Sequence, residues 1–417
     1  MSHTRRSFLQ RSAVGTAALV WSGPRATAAQ AGAPSSASLP PFGSAPRFDL
    51  HAVSRAPVRI ERIEALRHDG HVFIRTVSTD GAEGVCLTNE RDYLIPLMKD
   101  RLVPFFVGKD ARDLETLVDV VYRRHQSNYK LAGLAFFNPL GWIEISLLDM
   151  LGRIAGKPIA ELLGGIRRRE FPVYLSSTQR DITPEREAAR FQARMAETGA
   201  RAVKFKVGGR MSRNADESPG RTERIVPHLR KALGDDVTMY VDANGSYDVA
   251  RGIEVGRLCQ AHGVAIYEEP CPFDEYEDTR QVADALDLIV AGGEQDSSLA
   301  RFAAIARTRT LDLLQPDLMY NGGLLRALEV ARYAERHGLK GIAPHNPKTG
   351  AGQAHFLQFA ACVPNLFGFQ EYHVSQPEAE PWSSERFAVR NGKLTLPDGP
   401  GLGVTFDPDM LKKAERL

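Results

Sequence analysis

Two lysines lie close together in an apolar stretch, Val-Lys-Phe-Lys-Val-Gly-Gly, at residues 203–209. Because a β-strand turns successive side chains to opposite sides, Lys204 and Lys206 are expected on one face, and Val203, Phe205 and Val207 on the other. Two ammonium groups held this close repel each other, which lowers the pKa of at least one and makes it a candidate base near neutral pH. For this motif taken alone, a solvated strand face is the more common explanation.

Polar residues recur after this motif at intervals of about one strand and one helix. One lies near the end of each later predicted strand, and these residues are Asp242, Glu268, Glu294, Asp317, His345 and Glu371. Lys206 occupies the same position on its own strand. Parallel strands of a barrel place their carboxyl ends at one edge, so these side chains are expected to meet at one site. This shared register is a stronger signal than any single motif, and it favours a catalytic role for the lysines.

Three of these residues are carboxylates on consecutive predicted strands: Asp242, Glu268 and Glu294. Three anions facing one another destabilise the fold unless a divalent cation lies among them. Oxygen ligands favour Mg2+ over zinc, with Mn2+ as an alternative, whereas each carboxylate taken singly could instead cap a helix. Asn244 is a candidate contact to the metal shell or the substrate. Glu269 is expected to point to the other side of its strand.

Asp317 and His345 end successive predicted strands, across the barrel from the lysines. An aspartate that is hydrogen-bonded to a histidine orients the ring and raises its basicity, so this pair is a second candidate base. Glu371 is expected to be a protonated acid that hydrogen-bonds a substrate oxygen, because burial raises the pKa of a carboxyl group. Together the groups suit removal of the proton next to a substrate carboxylate, since a divalent cation and an acid stabilise the resulting enediolate.

A repeated α/β scaffold is needed to position these residues. Short apolar strands that alternate with amphipathic helices are predicted at 173–176, 203–207, 238–241, 265–267, 288–291, 311–314, 341–343 and 366–369. Eight such repeats are most simply a closed (β/α)8 barrel, a TIM barrel, which we place at residues 166–375. Residues 56–165 predict an α+β domain, and residues 376–417 are expected to return to cover it.

The first 28 residues have the pattern of a twin-arginine export signal. Arg5 and Arg6 precede an apolar run at 13–21 and the small residues Ala26-Thr27-Ala28. Residues 29–55, which are rich in Ala, Pro, Ser and Gly, predict a flexible linker. We therefore expect a soluble periplasmic protein, and we expect no segment to approach the ~20 apolar residues of a transmembrane helix.

The composition is that of an ordinary globular protein, with 417 residues, 43% hydrophobic and 25% charged. The formal charge of +2 includes the arginines of the leader, so the rest of the chain has no basic excess to attract nucleic acid or an anionic membrane. We expect neither as a partner. The cysteines are too dispersed for a disulfide framework or a zinc site, although one oxidised pair stays open; they are Cys86, Cys259, Cys271 and Cys362.

With these motifs, nearly the whole chain after the leader resembles the mandelate racemase branch of the enolase superfamily. The matching motifs include Lys-Phe-Lys, Val-Asp-Ala-Asn-Gly, Glu-Glu-Pro, Gly-Gly-Glu, Gln-Pro-Asp and Ala-Pro-His-Asn. The resemblance implies a modified (β/α)8 barrel with an N-terminal α+β capping domain, and Mg2+ held by Asp242, Glu268 and Glu294. The muconate cycloisomerase and dipeptide epimerase branches differ, because they carry a lysine on the sixth strand.

The same resemblance implies a role for each remaining residue. Lys206 is one base and Lys204 tunes it, with a contact to the substrate carboxylate as a further role for Lys204. The Asp317 and His345 pair is the other base, and Glu371 is the acid. We expect a small carboxylic acid as substrate and a homo-oligomeric protein.

The reaction after proton abstraction depends on the substrate. If the next carbon carries a hydroxyl group, as in acid sugars, His345 can protonate it as it leaves, and we favour this dehydration. Racemisation or epimerisation is the alternative. A third hypothesis is a periplasmic binding protein for carboxylates that has lost turnover. Substrate choice is expected to depend on the loops at 67–71, 86–91 and 209–223.

Overall fold

The computed structural model describes residues 42–375 and 380–417, so the predicted export signal and residues 29–41 lie outside the described residues. The strands are β1 (Ile60–His68), β2 (His71–Ser78), β3 (Glu83–Leu87), β4 (Glu170–Ser176), β5 (Ala202–Lys206), β6 (Thr238–Asp242), β7 (Val264–Glu268), β8 (Ile289–Gly292), β9 (Leu313–Leu314), β10 (Gln370–His373), β11 (Lys393–Thr395) and β12 (Glu415–Arg416). The helices are α1 (Ile95–Leu97), α2 (Val103–Phe106), α3 (Leu114–Arg123), α4 (Leu134–Ala155), α5 (Ile159–Leu162), α6 (Pro184–Thr198), α7 (Arg221–Leu233), α8 (Val249–Ala261), α9 (Tyr276–Asp284), α10 (Leu299–Thr308), α11 (Leu324–Arg336), α12 (Ala354–Cys362) and α13 (Pro408–Lys413).

The predicted α/β barrel is confirmed. Seven parallel strands follow one another in the order β10, β4, β5, β6, β7, β8 and β9. Single backbone bridges from Ile342 to Leu314 and to Leu366 continue the sheet beyond β9. Helices between the strands cover the outer face, as apolar parallel strands require.

Two predicted strands differ from the structure. The seventh, at 341–343, is reduced to isolated bridges at Ile342. Pro344, two residues later, has no N–H to donate and so prevents the strand from continuing. The eighth lies at Gln370–His373 instead of 366–369, since Gly368 adopts a left-handed conformation with φ +57° and interrupts regular pairing before it.

The interior of the barrel holds a small apolar layer below the predicted site. Its residues come from successive strands and are Tyr174, Ala202, Tyr240, Ile266, Ala291, Leu313 and Ala343. Ala202 belongs to this layer, and the two lysines follow it along β5 at intervals of two residues. Lys204 and Lys206 therefore share the inward face of the barrel, as the alternation of a strand predicts.

An antiparallel sheet of β1, β2 and β3 forms the N-terminal α+β region, and helix α4 packs on β2 and β3. The last strand, β12, pairs with β1, so the end of the chain reaches this cap sheet. Strand β11, in the same C-terminal segment, pairs instead with β4 of the barrel. The C-terminal segment thus adds to both regions.

Helix α4 corrects the expectation that no segment is long and apolar enough to span a membrane. Its 22 residues pass that test of length and composition, alone among the described helices. However, 89% of its most apolar window is buried inside the protein. The four cysteines are likewise all buried, and none forms a disulfide.

Part of the predicted flexible linker is packed against the fold. Phe42 and Leu50 are buried, and residues 50–53 form a short 3-10 helix capped by Asp49. The Arg47 guanidinium forms an ion pair with Glu329 of helix α11. The contacts of Phe42, Arg47 and Leu50 were not predicted, because composition alone does not show which side chains find a partner, and flexibility of the linker as a whole stays a prediction.

The buried carboxyl group of Glu144 joins the cap to the barrel. It lies on α4 and accepts the backbone N–H groups of Leu324 and Leu325, at 3.2 and 2.8 Å, at the start of α11. These donors have no partner within the helix, so an acceptor from the cap satisfies them. Gly323 has φ +110°, and a Cβ there would lie 2.4 Å from the Glu144 carboxyl carbon. Burial raises the pKa of Glu144 to about 8, although the two backbone donors oppose that rise.

We expect Glu144→Ala to lower the free energy of unfolding by about 1–3 kcal/mol, because two buried donors lose their acceptor. Glu144→Gln keeps an acceptor oxygen but cannot titrate. Folding raises the pKa of Glu144 from 4.5 to about 8. The stability that the carboxyl group contributes is therefore complete below the pKa of 4.5 and is lost as pH rises through the folded-state pKa of about 8. The Gln variant should therefore gain stability relative to wild type across that window.

Urea unfolding at several pH values measures this difference, with the exposed Glu161→Ala as control. A difference between wild type and Glu144→Gln that stays constant with pH would contradict the assignment.

Candidate active site

Parallel pairing brings the predicted site residues together at the carboxyl edge of the barrel. Lys206 at the end of β5 is in register with Asp242 at the end of β6, which is in register with Glu268 at the end of β7. Asp317 and His345 form a further parallel bridge. The predicted convergence therefore follows directly from strand register, and the fully or largely buried members are Lys204, Lys206, Asp242, Asn244, Glu268, Glu294, Asp317 and Glu371.

Lys206 is held by two acceptors at the end of the neighbouring strand. Its ammonium group contacts the carboxylate of Asp242 and lies 3.0 Å from the side-chain oxygen of Asn244. The backbone N–H of Asn244 donates to Asp242 Oδ1 at 2.8 Å, which holds the residue in a left-handed turn with φ +43°. Asparagine tolerates that conformation better than most residues. The turn therefore positions the Asn244 amide beside the candidate base.

Lys204 does not behave as the repulsion argument predicts. Its ammonium group lies 2.9 and 3.1 Å from the two oxygens of Glu268, 3.2 Å from Glu371 Oε1, and 5.2 Å from the centre of the Tyr174 ring. Burial alone would lower the pKa of Lys204, but Glu268 and Glu371 raise it well above its usual value. The nearby anions outweigh the neighbouring lysine, so Lys204 is a fixed cation.

The predicted metal ligands contact hydrogen-bond donors of the protein. Glu268 accepts Gln315 Nε2 at 3.0 Å in addition to Lys204. Glu294 Oε1 accepts Gln295 Nε2 at 2.7 Å, and its Oε2 lies 3.2 Å from His345 Nε2. Among the described residues, no three His, Cys, Asp or Glu side chains converge on one ion position. The carboxylates face the protein's own cations and amides instead.

The charges of this cluster nevertheless fit a hard divalent cation. Burial raises the pKa of Glu268; Lys204 opposes the rise, whereas repulsion from Asp242 and Glu294 adds to it. Burial would also raise the pKa of Asp242, but the two lysines hold it well below its usual range. Buried carboxylates that repel one another and offer oxygen atoms alone are the donor set that Mg2+ or Mn2+ takes.

Glu269 belongs to the same cluster, contrary to the expectation that it points away. Its backbone turns with φ +43°, so the alternation of the strand ends at Glu268. Burial and repulsion from Glu294, Asp242 and Glu268 raise the pKa of Glu269 well above its usual value. Its Oε2 accepts Asn244 Nδ2 at 3.4 Å, while Oε1 is buried without a hydrogen-bond partner among the described residues. This buried oxygen is a second indication that the cluster suits a cation.

The predicted hydrogen bond between Asp317 and His345 is confirmed. His345 Nδ1 lies 3.0 Å from Asp317 Oδ2, which leaves Nε2 directed at the carboxylate cluster, 3.2 Å from Glu294. Burial disfavours the charged ring, but Glu294 and Asp317 raise the pKa of His345 above its ordinary value. The aspartate therefore orients the ring and supports its basicity.

Glu371 differs from the predicted protonated acid. It accepts the Ser176 hydroxyl at 2.7 Å and the backbone N–H of Asn346 at 2.8 Å, and it pairs with Lys204. Burial alone would raise the pKa of Glu371, but Lys204 and His345 lower it to about 2. Glu371 is therefore an ionised acceptor, because the two cations outweigh the desolvation on which the prediction was based.

Three side chains at the site were missed by sequence reasoning. Arg180, in the loop after β4, is buried and donates to Asn244 Oδ1 at 2.7 Å. Lys348 lies 3.2 Å from Asp317 Oδ2, and Tyr320 donates its backbone N–H to Asp317 Oδ1 at 3.0 Å. All three follow barrel strands, and Tyr320 and Lys348 come three residues after predicted catalytic residues. That position in the chain is the signal by which they could have been found.

Two of the loops that are expected to determine substrate choice, 67–71 and 86–91, meet the barrel near Tyr320 and Lys348. A cavity of about 230 Å³ lies between the cap and the barrel, and Lys348, which contacts Asp317, lines it. The cap contributes His71 and residues 87–90, and the barrel contributes Tyr320, Lys348 and Thr349. Of the third loop, Arg221 donates to the backbone oxygen of Lys206 at 2.8 Å. This loop therefore fixes the backbone of the candidate base Lys206.

Known proteins share this architecture. The chain is 26% identical over 363 residues to the arabinonate dehydratase of Saccharolobus solfataricus, covering 86% of this chain and 91% of that enzyme. It is 30% identical over 322 residues to the D-galactarolactone cycloisomerase of Agrobacterium fabrum, covering 74% of this chain and 81% of that enzyme.

Solved structures agree with these relatives. A Roseobacter denitrificans protein described as a racemase superposes with a TM-score of 0.81 at 34% identity, over 86% of this chain and 99% of its own. A mandelate racemase/muconate lactonizing protein of Paracoccus denitrificans, solved in complex with magnesium, has a TM-score of 0.79 at 25% identity over 86% and 99% of the two chains. The model of the enolase C-terminal domain-like family matches residues 186–410. The chain therefore belongs to this family, within the enolase superfamily.

Proposed function

We propose that the protein is an Mg2+-dependent hydro-lyase that removes the proton next to the carboxylate of an acid sugar and then expels the hydroxyl group on the following carbon. The observation that carries this proposal is the convergence of two different bases, Lys206 and the Asp317–His345 pair, on one cluster of buried carboxylates. A relative of similar length is a sugar-acid dehydratase. The enzymatic alternative is racemisation or epimerisation, which the described racemase among the structural neighbours favours.

The metal ion would be held by Asp242, Glu268 and Glu294, with Glu269 beside them. When bound, Mg2+ would neutralise the substrate carboxylate and make the neighbouring proton more acidic. Mn2+ is the alternative ion, because it takes the same oxygen ligands. The magnesium-bound structural neighbour supports this choice of metal.

The protein's own residues then divide the proton transfers. Lys206 removes the proton from the α-carbon. Asn244, whose side-chain oxygen is hydrogen-bonded to the Lys206 ammonium group at 3.0 Å, contacts the substrate beside Lys206. His345, oriented by Asp317, donates a proton to the departing hydroxyl group, which leaves as water. The enol that remains rearranges to a 2-keto-3-deoxy acid. In racemisation His345 would instead return a proton to the α-carbon from the other side.

Lys204 and Glu371 take no proton in these steps but hold charge and a loop in place beside Lys206. Lys204 is a fixed cation between Glu268 and Glu371, so it tunes the field at Lys206 and can pair with the substrate carboxylate. Glu371 is ionised, so its role is to hold Lys204 and the loop at Asn346 in place. A carboxylate binder without turnover has no need of a base on each side of its ligand.

The exchange of the substrate's α-proton with deuterium from the solvent tests the shared first step. We expect Lys206→Ala and His345→Asn each to reduce exchange on one face by about 10²–10⁴-fold, because each removes one general base. NMR spectroscopy of both epimers measures the faces separately. The exposed Lys231→Ala is the matched control. Full exchange in both base variants would show that the mechanism is wrong.

Removal of the metal tests the proposed cluster. Chelation should abolish turnover, and Mg2+ should restore it more fully than zinc, because the donors are oxygen atoms. Asp242→Asn should raise the Mg2+ concentration needed for half-maximal turnover by more than tenfold, whereas Asp236→Asn, in an exposed turn, should not. Product analysis by NMR with a set of acid sugars separates a keto acid from an epimer. Undiminished turnover after chelation would contradict the proposal.

We also propose export through the twin-arginine route, which rests on the N-terminal sequence alone. Replacing Arg5 and Arg6 with lysine should retain the protein in the cytoplasm, as cell fractionation would show. Unchanged export of the variant would contradict this route. A homo-oligomer stays a prediction, and light scattering coupled to size-exclusion chromatography measures it.

A further inference from the structure

Lys348 makes a direct contact with the aspartate behind the second base. It follows His345 by three residues, and its ammonium nitrogen lies 3.2 Å from Asp317 Oδ2. The same oxygen lies 3.0 Å from His345 Nδ1. One carboxylate oxygen has two lone pairs, so it can serve both donors at once. Lys348 and His345 therefore share a single acceptor atom.

The other oxygen of Asp317 is fixed by the backbone. Oδ1 accepts the N–H groups of Met319 and Tyr320 at 2.8 and 3.0 Å. With Lys348 and His345 on Oδ2, the carboxylate is contacted on both oxygens, and it is almost completely buried. A carboxylate bound in this way cannot rotate without losing a hydrogen bond, so its plane fixes the direction of the His345 ring.

The cap contacts Tyr320, which lies beside Lys348. The ammonium nitrogen of Lys348 lies 5.7 Å from the centre of the Tyr320 ring, within the range of a cation–π contact. Arg91 of the cap contacts the Tyr320 hydroxyl, and its guanidinium carbon lies 4.7 Å from the centre of the same ring. Direct contacts therefore lead from the cap, through Tyr320 and Lys348, to Asp317.

We propose that Lys348 is a positioning residue for the Asp317–His345 pair, acting through Asp317 and held in place by Tyr320. This inference rests on the proposed function, because the pair must act as a base. Lys348 shares one oxygen of Asp317 with His345 and so holds the carboxylate in the orientation that directs His345 Nε2 into the site. It acts on one of the two bases, since Lys206 is held by Asp242 and Asn244 instead.

Exchange of the substrate's α-proton, resolved by face, separates positioning from a general structural role. Lys348→Met should reduce kcat for exchange on the His345 face by about 10–100-fold and leave KM and the Lys206 face within about twofold. Lys348→Arg, which keeps a cation, should restore part of the loss. Lys340→Met, at an exposed position, is the matched control. Equal losses on both faces, or a rise in KM with kcat unchanged, would overturn the proposal.

A second measurement does not depend on activity. The Nδ1–H proton of His345 gives an NMR signal that is assigned by its loss in His345→Asn. Lys348→Met should shift or broaden this signal, and Lys340→Met should leave it unchanged. An unchanged signal in Lys348→Met would overturn the positioning role even if wild type exchanged no substrate proton. Failure of exchange in wild type alone would instead refute the proposed function.

Discussion

The compensation of buried negative charge is the constraint on which this structure depends. Asp242, Glu268, Glu269 and Glu294 lie at one edge of the barrel, where burial makes isolated carboxylates costly. Lys204 and Lys206 on β5, with His345 opposite, supply the positive charge in the structure described here. The same cations that stabilise the cluster are those that the proposed chemistry uses, so under this proposal folding and catalysis place the same demand on these positions.

Strand register made most of this arrangement predictable from the sequence. Residues at the ends of parallel strands are neighbours whatever the helices between them contain, so Lys206, Asp242 and Glu268 could be assigned to one site from spacing alone. The alternation of β5 likewise predicted that both lysines share a face. The fold class followed from the same repeats. What register supplies is proximity; it does not supply charge state, which depends on everything packed around a group.

The errors lie where local geometry or a distant partner decides the outcome. Glu269 joins the cluster because its backbone turns to φ +43°, which the strand rule could not anticipate. Glu371 was expected to be neutral from burial alone, yet Lys204 and His345 together outweigh burial and lower its pKa. The strand at 366–369 was displaced by a left-handed glycine, and the ion pair of Arg47 with Glu329, far along the chain, was not foreseen. Each depends on a backbone turn or on a pairwise contact that one sequence does not specify.

The two bases are supported in different ways, and this difference bears on the reaction. Lys206 lies within a regular strand of the barrel sheet, whereas His345 lies in a segment that joins the sheet through isolated bridges alone. A side chain in such a segment needs support from elsewhere, and Asp317, Lys348 and Tyr320 supply it. Because Tyr320 is contacted by Arg91, the His345 side of the site is coupled to the cap. In the proposed reaction, the cap can thus influence the proton transfer at His345 without contacting Lys206, which suits two steps that require a base first and an acid second.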